Sequence, residues 1–84
     1  MGYKLQFKAS VKRDLKKLDK QTVKKILDEI ENELVSDPNN GKKLSGEFEG
    51  LLSYRMGDYR VMYTIVRDSV LVLRIGHRRD VYRS

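Results

Sequence analysis

The sequence contains no cysteine and no tryptophan, and only one histidine and one proline. Without cysteine the chain has no disulfide, thiolate metal ligand or cysteine nucleophile, which suits a reducing compartment, and we expect a cytoplasmic protein. No apolar run approaches the ~20 residues of a membrane-spanning helix, and no secretory signal pattern is present. Histidine, aspartate and glutamate residues nowhere show metal-ligand spacing, and there is no glycine-rich phosphate loop or nucleophile elbow. We therefore expect neither a metal nor another cofactor.

Acidic residues are outnumbered by basic ones, 12 against 18, which gives the 84-residue chain a net charge of +6. Such a chain is attracted to polyanions, for example nucleic acid or a ribosome, or to an acidic protein, although charge alone supplies affinity without specificity. The length is sufficient for one modest hydrophobic core. Because no linker, internal repeat or low-complexity segment interrupts it, we expect a single domain over residues 1–84.

Hydrophobic periodicity in the first half predicts a strand followed by two helices. Tyr3, Leu5 and Phe7 alternate with polar residues, as in a half-buried strand. Ser10 is a candidate N-cap for the first helix, and Asp19 is a candidate N-cap for the second. Both helices show an apolar stripe at helical spacing, formed by Val11, Leu15 and Leu18 in the first and by Val23, Ile26, Leu27, Ile30 and Leu34 in the second.

Residues 51–60, with the sequence LLSYRMGDYR, predict two strands joined by a tight turn at Gly57 and Asp58. A two-residue loop makes Met56 face Tyr59 and places Arg55 directly opposite Arg60. Side-chain alternation then assigns one apolar set to the core: Tyr54, Met56, Tyr59, Val61, Tyr63 and Ile65.

Residues 42–46 predict a basic loop before this hairpin, and a turn at residues 67–69 separates the third strand from a fourth at about 70–76. In the fourth strand we expect Leu71, Leu73 and Ile75 to face the core, and the residues between them to face outward, namely Val70, Val72, Arg74 and Gly76. The predicted fold is α+β, with two N-terminal helices packed on one face of a small, mainly antiparallel four-stranded sheet (β-α-α-β-β-β).

Arg55 and Arg60 are the first candidates for a functional site. Two like charges directly across a strand pair are unfavourable by about 0.2–1 kcal/mol. Either each arginine pairs with a surface carboxylate, or the two together bind an anion, most simply a phosphate, which guanidinium binds bidentately. We favour the anion, and alternation places Arg78 near the same side.

Two further side chains near the C-terminus have useful chemistry. His77 is the side chain expected to titrate near neutrality. Tyr82 has a phenol that can stack on a base or move a proton. A structural role is the alternative for both residues.

Three segments resemble the RelE/ParE toxin superfamily. They are residues 43–46 (KLSG), 54–63 (YRMGDYRVMY) and 75–82 (IGHRRDVY), against the family patterns K-L-x-G, R-x-G-x-Y-R-V-x-Y and V-G-H-R-x-x-V-Y. The resemblance implies a small α+β toxin of a bacterial or archaeal toxin–antitoxin pair. For the RelE branch it implies a metal-independent endoribonuclease that enters the ribosomal A site and cuts mRNA by attack of the ribose 2′-OH on the scissile phosphate.

The resemblance also implies roles by position. Arg55 matches a basic catalytic or phosphate-holding residue, Arg60 the arginine that stabilises the transition state, and Arg78 a second phosphate-binding arginine. Tyr82 matches a terminal tyrosine that stacks or donates a proton at the cleavage site, and His77 a position that carries histidine or lysine. We also expect a group of basic residues to contact RNA or the ribosome: Lys12, Lys16, Lys42, Lys43, Arg74 and Arg79.

Partners and alternatives follow from the same resemblance. An antitoxin protein, often acidic, is expected to bind by strand addition or by docking a helix in a groove, and a toxin–antitoxin hetero-oligomer is expected. The first alternative is a ParE-type inhibitor of DNA gyrase without nuclease activity. The second is a degenerate toxin that only binds its antitoxin, because Ser53 stands where many ribosome-dependent members have a basic residue.

Overall fold

A mixed sheet of five strands forms the centre of the computed structural model, which describes residues 3–77. Along the chain the elements are β1 (Lys4–Phe7), α1 (Ala9–Lys16), α2 (Lys20–Glu29) with a π-helical continuation (Ile30–Leu34), β2 (Lys42–Lys43), β3 (Leu52–Met56), β4 (Tyr59–Val66) and β5 (Ser69–His77). In space the strands lie in the order β1-β5-β4-β3-β2. β1 runs parallel to β5, and the other pairs are antiparallel.

The predicted α+β class and the order of the main elements are confirmed, but the prediction of four strands is wrong. Residues 42 and 43, which we expected in a loop, form β2, in which Lys42 pairs with Ser53 and Lys43 with Leu52. Two residues are too few to show an alternating pattern, so this strand exists only because β3 offers it a free edge.

The hydrophobic core lies between the two helices and one face of the sheet. Fully or nearly fully buried side chains from both layers form it: Val11, Ile26, Ile30, Leu34, Leu52, Val61, Tyr63, Val70, Val72 and Ile75. Most of the predicted helix stripes are thus confirmed on the core side, with Leu15, Leu18 and Leu27 only partly buried and Val23 outside the cluster, and the remaining predicted core residues of β3 and β4 pack around it.

The predicted facing of β5 is wrong before Arg74. Val70 and Val72 are buried in the core, whereas Leu71 and Leu73 are only half-buried. The cause is a β-bulge, since Tyr63 pairs with Val72 and Met62 with Arg74, which leaves Leu73 without a partner in β4. One extra residue reverses the alternation of side chains along the strand.

The two predicted helix caps differ in outcome. Asp19 is the N-cap of α2, where its carboxylate accepts a hydrogen bond of 2.9 Å from the Thr22 backbone N–H, as expected. Ser10 is not a cap: Lys8 holds that position, and Ser10 lies within α1, where its hydroxyl donates to the Leu73 carbonyl at 2.8 Å.

Over residues 3–77, no helix is long and apolar enough to cross a membrane.

Candidate phosphate-binding face

The β3–β4 hairpin brings the two candidate arginines together as predicted. Gly57 occupies the turn with φ of 59°, a conformation that glycine adopts without a steric cost. Met56 pairs with Tyr59, and Arg55 pairs directly with Arg60. The tight turn therefore determines that two guanidinium groups project from adjacent strands.

Two rows of paired residues cross the sheet on the face opposite the helices. Lys42, Ser53, Met62 and Arg74 form the first row, and Arg55, Arg60 and Gly76 form the second. With about 4.8 Å between neighbouring strands, the four basic residues of these rows lie within about 15 Å of one another. We call the surface formed by Lys42, Arg55, Arg60 and Arg74 the cationic face.

The guanidinium groups of the central arginine pair are held by neutral acceptors. Arg55 is exposed, and its Nε donates to the Gly57 carbonyl at 3.1 Å. Arg60 is half-buried, and its Nη1 donates to the Ser53 hydroxyl at 3.1 Å. Both hydrogen bonds orient the guanidinium groups, and the one to the neutral Gly57 carbonyl does not offset the charge of Arg55. Over residues 3–77 Arg55 forms no ion pair, so for Arg55 the structure does not support pairing with a surface carboxylate.

Ser53 has a role at this site that the sequence analysis did not recognise. It is only 2% exposed, and neighbouring Met62 is only 4% exposed, although both lie on the side away from the helices. Ser53 thus forms a buried floor beneath Arg60 and holds its guanidinium. The signal was present in the alternation of β3, because Ser53 and Arg55 are two residues apart and share a face.

Arg74 has a different environment from the other three basic residues. Its Nε donates to Asp14 Oδ2 at 3.0 Å and its Nη2 donates to Asp14 Oδ1 at 3.3 Å. The guanidinium and the carboxylate therefore form a bidentate pair. The carboxylate of α1 thus offsets the charge of Arg74, whereas the hydrogen bonds from Arg55 to Gly57 and from Arg60 to Ser53 go to neutral groups.

Other predicted site residues lie elsewhere. His77 pairs with Tyr59, with ring centroids 6.1 Å apart at an edge-on angle of 71°, and Tyr59 packs on the core side. His77 is therefore not on the cationic face. Lys43 pairs with buried Leu52 and also belongs to the helix side. Three predicted site residues lie outside the described part of the chain: Arg78, Arg79 and Tyr82.

Lys12 and Lys16 belong to a second surface, a groove between α1 and α2. It is open to solvent, has a volume of about 690 Å³, and has an apolar floor made by Leu15, Leu18, Val23 and Leu27. Four lysines and one carboxylate, that of Asp28, line it as well; the lysines are Lys12, Lys16, Lys20 and Lys24. We call this surface the lysine groove. Its combination of apolar floor and basic rim suits an acidic amphipathic segment better than a bare phosphate.

The fold and the cationic face together define a small, basic α+β protein with a cluster of basic residues on one side of a sheet. Known proteins share this architecture. A family model described as the ParE toxin of the type II toxin–antitoxin system parDE matches residues 5–82. Toxin RelG of Mycobacterium tuberculosis is 35% identical over 86 residues, which cover 99% of each chain.

A second toxin and a solved structure from the same organism agree with these matches. Toxin RelE is 33% identical over 84 residues, which cover 96% of this chain and 87% of the relative. A chain of the crystal structure of the toxin–antitoxin complex RelBE2 superposes with a TM-score of 0.87 at 32% identity, covering 93% of this chain and all (100%) of the other. The chain therefore belongs to the ParE toxin family, within the RelE/ParE superfamily of type II toxins, and the resemblance in its sequence is confirmed.

Proposed function

We propose that the chain is a ribosome-dependent endoribonuclease that cuts mRNA in the ribosomal A site, in the cytoplasm and without a metal ion. The observation that carries this proposal is the juxtaposition of Arg55 and Arg60 on the cationic face, each oriented by a neutral acceptor. A like-charged pair in this arrangement becomes favourable once a phosphate lies between the two groups.

The proposed reaction is a transesterification within the RNA. The ribose O2′ loses its proton and forms a bond to the adjacent phosphorus, the bond from phosphorus to O5′ breaks, and the leaving O5′ receives a proton. Negative charge on the phosphate oxygens is greatest in the transition state, where oriented guanidinium groups stabilise it most. Because arginine scarcely deprotonates, we assign Arg55 and Arg60 to charge stabilisation and positioning rather than to proton transfer.

The test of this function is Arg60→Ala. Loss of one oriented donor to a developing anion is expected to slow cleavage about 10²- to 10³-fold, and growth arrest should disappear with it. Primer extension on mRNA from a translating extract measures the new 5′ ends within codons. Arg13→Ala, an exposed arginine of α1, is the matched control and should cleave like the parent. An Arg60→Ala variant as toxic as the parent would refute the nuclease.

The match to the ParE family model supports a second candidate, inhibition of DNA gyrase without RNA cleavage. The same extract distinguishes the two functions, because a gyrase inhibitor leaves trapped gyrase–DNA complexes and no new mRNA ends. A toxin that only binds its antitoxin would give neither signal.

We propose that the partner is a cognate antitoxin and that an acidic amphipathic helix of it occupies the lysine groove. The RelBE2 protein, which this chain resembles, was solved as a complex of toxin with antitoxin. The apolar floor of the groove can bury the apolar side of a helix, while its four lysines attract the acidic side.

A further inference from the structure

β5 extends well beyond the strand that covers its outer edge. β1 ends at Phe7, which pairs with Val72, and the last backbone contact between them is the Lys8 N–H donating to the Val72 carbonyl at 2.9 Å. β5 continues to His77 and remains paired with β4 on its inner side. Past Val72, the outer edge therefore needs partners from another element, because buried backbone groups without hydrogen bonds are costly.

Helix α1 supplies those partners through two side chains one turn apart. The Ser10 hydroxyl donates to the carbonyl of Leu73, the bulge residue, at 2.8 Å. The Asp14 carboxylate accepts from the Ile75 N–H at 3.0 Å. Residues at positions i and i+4 share one face of a helix, so Ser10 and Asp14 act where a neighbouring strand would otherwise lie.

Asp14 does more than complete the edge, because the same carboxylate binds the Arg74 guanidinium at two points, 3.0 and 3.3 Å. The Asp14 side chain is only 8% exposed, whereas that of Arg74 is 35% exposed. An apolar residue at position 14 would leave the Ile75 N–H without its partner, whereas a neutral acceptor such as asparagine would not. The negative charge of Asp14 is therefore needed for Arg74 rather than for the edge of β5.

We propose that Asp14 is a positioning residue for the cationic face: by binding both Arg74 and the Ile75 amide, it fixes the end of β5 beside Arg60. Gly76, which pairs directly with Arg60, is the next residue along β5. A shift of β5 at Ile75 would move the backbone against which Arg60 is placed. The inference rests on the proposed function, since the position of Arg60 affects the cleavage rate only if Arg60 binds the reacting phosphate.

Because Asp14 is charged, its loss should affect RNA binding and RNA cleavage differently. Without the carboxylate, Arg74 becomes an uncompensated cation about 7 Å along the sheet from the row that contains Arg60. RNA binding should then be unchanged or tighter, while the phosphate is drawn away from its reacting position. A purely structural residue would instead lower binding and cleavage together.

The experiment compares Asp14→Asn with Glu31→Gln, the same carboxylate-to-amide exchange at an exposed helical position. Asparagine keeps an acceptor for the Ile75 N–H but removes the charge from Arg74. On ribosomes programmed with mRNA in single-turnover conditions, we expect the maximal cleavage rate of Asp14→Asn to fall about 10- to 100-fold, as for a reacting group displaced by up to 1 Å. The toxin concentration for half-maximal rate should stay the same or fall. Glu31→Gln should match the parent in both quantities.

Three results would overturn the inference while leaving the nuclease function intact. They are an Asp14→Asn rate equal to that of Glu31→Gln, a parallel loss of rate and binding, and a loss that follows only the fraction of protein that is folded by circular dichroism. If the parent itself does not cleave, the proposed function fails first. Positioning is then decided by the NMR signal of Arg60 Nε–Hε, which should shift in Asp14→Asn and not in Glu31→Gln; an unmoved signal refutes it.

Discussion

Tyr63 ties the sheet to the loop that follows α2, and a single hydroxyl makes the connection. Its side chain is fully buried, its hydroxyl donates to the Pro38 carbonyl at 2.6 Å, and the same oxygen accepts from the Gly41 N–H at 3.0 Å. The contact is so close that a Cβ on residue 41 would clash with the Tyr63 hydroxyl, which explains glycine at that position. Burial, as the largest cause, raises the pKa of the Tyr63 phenol.

Tyr63→Phe should therefore destabilise the fold although the ring remains. It leaves a buried carbonyl and a backbone N–H unpaired, which typically costs about 1–3 kcal/mol in the free energy of unfolding. Urea denaturation followed by circular dichroism measures this loss. Tyr3→Phe is the control, since over residues 3–77 its hydroxyl has no hydrogen bond, and an equal effect in both variants would contradict the assigned role.

The difference in unfolding free energy between the parent and Tyr63→Phe depends on pH with a definite sign. Because the pKa of Tyr63 is raised above its ordinary 10.0 in the folded state, its contribution is complete below pH 10.0 and is lost as the pH rises through the folded value. The stability difference between the parent and Tyr63→Phe should therefore shrink above that pH.

At the scale of elements, the two helices present one face to the core and leave the lysine groove on the outside. Lys24 lines this groove, whereas Lys25, the next residue of α2, lines a separate pocket beside the β3–β4 turn. The two lysines are equally charged and both exposed, but a helix turns by about 100° per residue, which sends them to different surfaces.

Lys24→Glu is expected to weaken binding of the cognate antitoxin about 3- to 10-fold, mainly through slower association at low salt, because a rim charge acts chiefly on the encounter. Surface plasmon resonance at two salt concentrations measures it. Lys25→Glu makes the same charge change outside the groove and should bind like the parent. Equal losses in the two variants would mean that charge alone, and not the groove, holds the antitoxin.

At the scale of the whole molecule, basic residues form clusters on two separate surfaces, the cationic face and the lysine groove. Lys42 and Lys43 offer a direct test of this division, since they are neighbours in β2 whose side chains lie on opposite faces. Both were expected to contact RNA, but only Lys42 lies on the cationic face.

Lys42→Gln should reduce the salt dependence of binding to a single-stranded RNA oligonucleotide by about 0.7 in the slope of log K against log salt, the value for one phosphate contact. Lys43→Gln should leave the slope close to that of the parent. Fluorescence anisotropy over a range of salt concentrations provides the measurement. Identical slopes for the two variants would show that RNA does not distinguish the faces.

The predictions that succeeded from sequence concern short stretches. The Arg55–Arg60 pair depends only on a two-residue turn and a period of two, and the Asp19 cap only on a bond three residues away. The predictions that failed depend on distant residues. Ser10 is of a residue type common at helix N-caps, but its hydroxyl donates to the carbonyl of Leu73, 63 positions along the chain.

The sequence by itself determined the two helices, the four longer strands and the pairing of Arg55 with Arg60, because turn chemistry and periodicity act over a few residues, and its three short motifs carry the resemblance to the toxin family. Only the tertiary structure decided that Arg74 is held by Asp14, that the bulge at Leu73 reverses β5, and that His77 lies on the helix side. These outcomes depend on which strand edges and buried polar groups find partners far along the chain, and no local pattern records such pairings.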